Sequence, residues 1–424
     1  MNEIDLFKRC HVNTNDEGDR FVGVKADADD AVVYFPFGYE LPETEQELRR
    51  DIVHLIHVLS SFADRKDKLL AVRKFMAPQT VDFPIHAYLT VINYFLQTGS
   101  YYTEKERQFK VSDRGKTDWP RTIKRQRPIL QANGAPVYLK RETRESAPND
   151  RNLITRIHEY CVFEGFAKLG WLFTAVMPKK PSVPFQKKMF TGVVQDKLGQ
   201  TFNDQDKQLF QSMLAMINYI DERSPQKQFY FGTDRFEYVW ERLIDRVFGI
   251  TNKNDYFPRT KWALEYGKVR TNAALEPDTV MVHGGKVYIL DAKYYRYGVT
   301  GNPAHLPESS SINKQITYGE YVATERKFKE MYGENIPVYN AFIMPFNRSD
   351  NLFEISNQCG RIGEATGDWK SSGKTYERVQ GIVADVRYLM WHYTGNTEPQ
   401  IIAMIDAIES AFTAETVLPA VAEL

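Results

Sequence analysis

The sequence predicts a mixed α/β protein in which an N-terminal α+β region precedes a C-terminal core ordered α-β-β-β-α-β. Three observations carry this prediction. From Thr233 to Gly249, the residues Phe236, Val239, Trp240, Leu243, Ile244, Val247 and Phe248 recur at the i, i+3, i+4, i+7 spacing of one helix face. Thr279-Val280-Met281-Val282 and Val287-Tyr288-Ile289-Leu290 flank a His283-Gly284-Gly285-Lys286 corner, which reads as two strands joined by a tight turn that needs positive φ. Val338 to Met344 has the length and the β-branched and aromatic content of a buried strand.

Taken in order, Arg20 to Gly38 reads as two short strands, carried by Phe21, Val22 and Val24 and then by Val32, Val33 and Phe35. Leu48 to Phe62 and Phe83 to Leu96 read as amphipathic helices, with a linker around Gln79-Thr80-Val81. Ile154, Ile157, Tyr160, Cys161 and Phe166 mark another helix, as do Leu209, Phe210, Met213, Leu214 and Ile217, with a proline-rich loop at Met177 to Pro184 between them. A boundary is expected around Ser224-Pro225-Gln226-Lys227, giving an N-terminal α+β region over 1–100, a basic mixed region over 101–225 and a third domain over 226–424. In this last domain a helix opens at Thr233-Asp234-Arg235-Phe236-Glu237 and ends at Gly249, and a strand follows at about Lys261 to Lys268. After the glycine hairpin comes a polar loop from Gly298 to Ser311, then a serine-capped helix from Ile312 toward Tyr332-Gly333, then the Val338 strand.

The hairpin carries the chemistry. With Gly284 and Gly285 as its two central residues, Asp278 stands opposite Asp291, and Lys293 projects from the same face, which Ile289, Val287, Val282 and Val280 continue inward. Opposed like charges about 5 Å apart destabilise a strand pair unless something positive lies between them. A divalent cation meets that need: magnesium takes oxygen ligands, commonly one or two carboxylates, and leaves other positions for water and phosphate. Such an ion, with a lysine at hand, suits phosphodiester hydrolysis. The bland alternative makes Asp278 a strand-entry residue and Asp291 the ion-pair partner of Lys293 in an ordinary edge hairpin. Glu237, near the start of its helix, is a candidate third carboxylate, or the third-position glutamate of a capping box on Asp234; Glu265 and Glu276 are its rivals.

Pro277-Asp278 and Asp291-Ala292-Lys293 match the P-D-(D/E)-x-K pattern and so resemble the PD-(D/E)xK superfamily of restriction-endonuclease-like nucleases, with alanine in the variable position. The resemblance implies that Asp278 and Asp291 bind magnesium (manganese substituting) with the Ala292 carbonyl, that Lys293 assists the attacking water, and that a helical glutamate completes the site. Within the superfamily, Tyr288 to Tyr297, Leu306-Pro307 and Ser311 to Gly319 are similar to the LlaJI family of restriction endonucleases and to McrC, the nuclease subunit of McrBC systems. Gln380 to Val386 and Gly115 to Ile123 extend the likeness. These families imply an endonuclease subunit of a restriction system for phage defence. It would act on DNA as an oligomer, with a separate McrB-like AAA+ GTPase, and leave 5′-phosphate and 3′-hydroxyl ends. Related exonucleases carry a glutamine and a tyrosine four residues apart after the lysine; here Gln315 and Tyr318 are three apart. Lys314 and Gln315 are thus auxiliary candidates, against a reading of Gln315 as a solvated helix residue. From a different functional class, the rival is a non-catalytic assembly subunit that binds DNA or stimulates the GTPase.

Composition bounds the remainder. A 42% hydrophobic chain of 424 residues can bury a large core. Cys10, Cys161 and Cys359 are scattered without metal-ligand spacing, which argues against zinc and a disulfide framework. His54, His57 and His158 read as packing residues. The absence of a signal peptide or an 18-residue apolar run leads to the expectation of a cytoplasmic, soluble protein. Lysine plus arginine equals aspartate plus glutamate at 55 each, so phosphate contacts must come from local patches. The strongest runs from Arg107 to Arg127, where Lys110, Arg114, Lys116, Arg121, Lys124 and Arg125 join those two arginines against only Asp113 and Asp118. It is a candidate DNA or partner surface, or else a solvated loop and strand pair. The chain beyond His392 has no lysine or arginine and is not expected to touch DNA.

Overall fold

The computed structural model describes residues 5–26, 31–62, 84–112, 114–149, 152–173, 177–220, 229–371 and 373–413. The chain forms two compact units, one of residues 1–4 and 82–227 and one of residues 5–81 and 228–424. These units do not follow the sequence boundary at residue 100, because the first strands and helix of the chain pack with the C-terminal part. The linker at 79–81 and the boundary at 224–227 lie outside the described residues.

In the second unit, β1 (Cys10–Val12), β2 (Val22–Ala26), β3 (Ala31–Phe35) and β9 (Phe229–Thr233) form a sheet in the order β1-β3-β2-β9. Helix α1 (Glu45–Phe62) buries Leu48, Ile52, Leu55, Ile56 and Leu59 at helical spacing. The first unit contains α2 (Ile85–Thr98), β4 (Glu104–Val111), β5 (Lys116–Thr117), α3 (Trp119–Arg125), β6 (Ile129–Leu130), β7 (Pro136–Val137), β8 (Glu142–Asn149), α4 (Leu153–Leu169), α5 (Lys187–Gln200) and α6 (Asp204–Tyr219). There His158 is buried and its Nδ1 accepts the Tyr102 N–H at 2.8 Å, in keeping with a packing role. In the second unit His54 likewise stacks on Trp391 at 4.2 Å, while His57 is exposed. All three cysteines are free.

The sheet that positions the acidic hairpin has five strands: β12 (Thr279–His283), β13 (Lys286–Ala292), β14 (Val338–Phe346), β16 (Val379–Asp385) and β15 (Cys359–Ala365), in that spatial order. β13, β14 and β16 run parallel, and the two edge strands are antiparallel to their neighbours. β14 is buried along its whole length, as expected for a strand covered on both faces. One face packs Val280, Val287, Ile289 and Val338 against Tyr318 and Val322 of α9 (Ser309–Thr324) and Phe328 of α10 (Arg326–Tyr332). Tyr288, pointing the opposite way, donates its hydroxyl to Glu409 of α12 (Glu398–Thr413) at 2.6 Å, and Lys286 pairs with the same carboxylate at 2.7 Å. Helix α7 (Phe236–Phe248) buries all seven residues of its predicted apolar stripe, and its Trp240 donates to the Ile343 carbonyl at 3.2 Å. Helix α11 (Val386–His392) is tied to α1 by the buried Asp51, which accepts from Arg387 Nε at 2.8 Å and from Trp391 Nε1 at 2.9 Å.

Several local expectations differ from the structure. The strand expected at Lys261 to Lys268 is β10 (Arg259–Ala263), which turns back into β11 (Val269–Ala274) to form a separate two-stranded sheet instead of joining the five strands. Its strand propensity was legible, but all five β10 side chains are exposed, so nothing apolar draws it onto the sheet. Ser309 to Ser311 form the first turn of α9, whose N-cap is Glu308, instead of preceding the helix. Asp234 is not the cap of α7; Arg235 occupies that position without a side-chain cap. The loop after β13 contains a short helix, α8 (Tyr297–Thr300), and a 3-10 turn at Pro303–His305. Among the described residues no helix is long and apolar enough to cross a membrane.

Candidate active site

The hairpin register agrees with the expectation: Thr279 pairs with Leu290, Met281 with Tyr288 and His283 with Lys286. Gly284 and Gly285 have φ of +57° and +76°, so both central turn residues lie in the region that glycine enters freely, as a two-residue hairpin of matching twist requires. This corner sets which residues meet at the other end of the hairpin. Asp278 Oδ2 accepts the Ala292 N–H at 3.1 Å, and its carboxyl group lies within hydrogen-bonding reach of Asp291. Lys293 Nζ pairs with Asp291 Oδ2 at 2.9 Å. Asp278, Asp291 and Lys293 therefore converge, and Asp291 is only 8% exposed.

Burial, contact with Asp291 and the charge of Glu241 push the Asp278 carboxyl from 3.8 up to about 9, against a smaller opposing pull from Lys293. Burial works against the Lys293 charge, but Asp291 and Asp278 outweigh it and raise the ammonium above its ordinary value. Burial, then the charges of Asp291, Asp278 and Glu276, raise the Tyr318 hydroxyl. A buried acid and a half-buried one held together by a single ammonium cannot both ionise comfortably. A divalent cation would resolve the conflict, and the donor set fits a hard ion that takes two carboxylates. Buried oxygens with no hydrogen-bond partner among the described residues lie on the facing helix as well: Tyr318 Oη and Gln315 Oε1. Among the described residues no group of three or more histidine, cysteine, aspartate or glutamate side chains is placed to hold a metal.

The other predicted residues are distributed as follows. Glu237 is half-buried on α7, and its charge acts on Tyr294. The glutamate whose charge acts on Asp278 is Glu241, one helical turn later, which sequence reasoning passed over. The i, i+4 relation to Glu237 was the available signal. Glu265 lies on the exposed β10–β11 turn, and Glu276 is exposed beside Pro277. Gln315 is fully buried, not solvated, and donates to the Ile289 carbonyl at 2.7 Å, whereas Lys314 is exposed with its ammonium 5.6 Å from the Tyr318 ring. In the other unit, Arg114, Lys116, Lys124, Arg125 and Arg127 are exposed and Arg121 is half-buried with its guanidinium 3.5 Å from the Phe109 ring; the Arg107 side chain and Asp113 lie outside the described residues. The N-terminal segment was also missed as a brace for the lysine strand. The Phe37 N–H donates to the Tyr294 hydroxyl at 2.7 Å, and Asn15 Nδ2 donates to the Tyr294 carbonyl at 3.2 Å.

A model of the LlaJI restriction endonuclease family matches residues 21–360, spanning both units and the converging Asp278, Asp291 and Lys293. The chain belongs to the LlaJI restriction endonuclease family. This LlaJI-family protein is accordingly a nuclease of a restriction system. No curated protein matches its sequence. Among solved structures, the LlaJI-family chain is similar to one in a refined half-complex from the tetradecameric assembly of Thermococcus gammatolerans McrB AAA+ hexamers with bound McrC. That similarity has 13% identity and a TM-score of 0.37, and it covers 91% of this chain and 83% of the other.

Proposed function

We propose that this chain is the magnesium-dependent endonuclease subunit of its restriction system, hydrolysing DNA phosphodiester bonds at the open end of the β12–β13 hairpin. The observation that carries the proposal is the contact of Asp278 with Asp291 beside Lys293, in a buried setting that disfavours two free carboxylates. Asp278 and Asp291, with the Ala292 carbonyl, would hold the metal. The cation would supply positive charge against the charge developing on the scissile phosphate. Lys293 orients the attacking water and adds a second positive charge at the reacting phosphate. Glu237 was the glutamate expected to help, but the electrostatics favour Glu241 for that role because its charge reaches Asp278. Gln315 supports the site from behind by holding the Ile289 carbonyl two residues before Asp291.

The succession of α7, the β12–β13 hairpin, α9 and β14 supports reading the five-stranded unit as a PD-(D/E)xK core, with the β10–β11 pair standing outside the sheet. The separate McrB-like AAA+ GTPase partner rests on the sequence likeness of Tyr288 to Tyr297 and Ser311 to Gly319 to McrC subunits. The exposed cations Arg114, Lys116, Lys124, Arg125 and Arg127 would contact DNA or that partner. The test compares wild type, Asp291→Ala and Lys293→Ala on DNA with magnesium and the partner present. Cutting by wild type alone is expected, and equal cutting by all three would remove these assignments.

A further inference from the structure

Between α7 and Pro277-Asp278 the chain leaves the body of its unit as the β10–β11 ribbon. It pairs antiparallel from Arg259 opposite Ala274 to Ala263 opposite Val269, with a register shift between Arg259 and Lys261. A lone pair of strands gains little stability in water, and here every β10 side chain and all of β11 but Asn272 and Ala274 are exposed. Trp262 is 62% exposed, Val269 66% and Tyr266, at the tip, 91%. The ribbon carries Arg259, Lys261, Lys268 and Arg270 against Glu265, in a chain whose formal net charge is zero. Trp262 stands directly opposite Arg270, so an aromatic ring and a guanidinium share one face.

The ribbon is fixed to the candidate active site at its base. The Leu275 N–H donates to the Pro258 carbonyl at 2.8 Å, and Leu275 packs on the cluster of Val280, Val287 and Ile289. Lys253, just before the ribbon, donates to the Asp278 carbonyl at 2.6 Å. Strands of five or six residues reach about 17–20 Å at about 3.3 Å per residue. Such a two-stranded ribbon fits the major groove, about 12 Å wide and 8.5 Å deep.

We infer that the β10–β11 ribbon is a DNA-contacting arm that enters the major groove of the duplex beside the scissile phosphate, its cations on the backbone and Trp262 and Tyr266 against base edges. This rests on the nuclease reading, and charge complementarity selects the occupant. Anchoring beside Asp278 makes the ribbon a ruler, fixing the cut at a set distance from the groove it occupies.

Duplex binding by the full-length chain is measured in EDTA, so that no cutting intervenes, by fluorescence anisotropy of an end-labelled duplex over a series of salt concentrations. The variants are Lys268→Ala/Arg270→Ala and Trp262→Ala/Tyr266→Ala, each checked by circular dichroism. Removing the two cations should lower the slope of log affinity against log salt by about 2, at about 0.9 per phosphate contact. Removing the two aromatics should weaken binding by about tenfold with the slope unchanged. If wild type fails to cut while the ribbon variants still lose affinity, the nuclease reading falls and the ribbon assignment stands. Unchanged affinity and slope in the ribbon variants would overturn it. So would absent duplex binding by wild type with and without the AAA+ partner, or a loss confined to partner association or self-association.

Discussion

Replacing Asp278 with asparagine should stabilise the metal-free protein at alkaline pH while ending its activity. The structure holds the Asp278 carboxyl at about 9, from 3.8, through burial, Asp291 and Glu241. A raised carboxyl favours the protonated folded protein, so this contribution to stability is fully present below about pH 4 and is lost as pH climbs toward 9. Each pH unit over which only the folded protein holds this proton is worth at most about 1.4 kcal/mol. Turning the ionised side chain toward water returns part of that, and a loss of about 2–4 kcal/mol between pH 5 and pH 9 is expected. The asparagine side chain would keep the oxygen that accepts the Ala292 N–H and could donate to Asp291, without an ionisation to oppose. The assay is urea unfolding in EDTA at pH 5, 7 and 9, followed by tryptophan fluorescence, with the denaturant slope m checked for constancy. Wild type should weaken with rising pH more steeply than Asp278→Asn, and magnesium at pH 8 should stabilise wild type alone. Parallel pH profiles for the two proteins would refute the claim that the acids are forced together.

Glu241→Gln should reduce cutting at least tenfold with little change in melting temperature, whereas Glu237→Gln should cut at near the wild-type rate. The reverse pattern would return the third acid to the position first read from the sequence. Gln315→Leu should cost about 1–3 kcal/mol of stability, because the buried Ile289 carbonyl loses its donor, and thermal unfolding measures it. A loss below a few tenths of a kcal/mol would show that this hydrogen bond does not brace β13.

The parts of the fold that the sequence disclosed are those governed by local periodicity. Gly284-Gly285 set the hairpin register, period two then placed Asp278 beside Asp291, and the stripe from Phe236 to Phe248 identified α7 with every residue buried. What escaped depended on contacts distant in the chain. β2 pairs with β9, far later in the sequence, and Asp51 of α1 meets Arg387 of α11, so residues 5–81 join the C-terminal fold despite reading as a separate region. Lys261-Trp262 and Val269 state a preference for strand, but preference does not say which sheet is joined, so an exposed ribbon and a core strand read alike there. Glu237 and Glu241 occupy similar phases of α7; only the packing angle of that helix decides which of them faces Asp278. Gln315, polar and followed by Ile316, admits both an auxiliary and a solvated reading, because its target is a main-chain carbonyl, which leaves no trace in side-chain pattern.

Calorimetric titration of magnesium or manganese into the metal-free protein tests most directly whether the acidic pair shares a cation. Wild type should bind with proton release at pH 7, as Asp278 ionises on loading, and both Asp278→Asn and Asp291→Asn should lose that binding and its protons. Undiminished metal binding by the two variants would contradict the account.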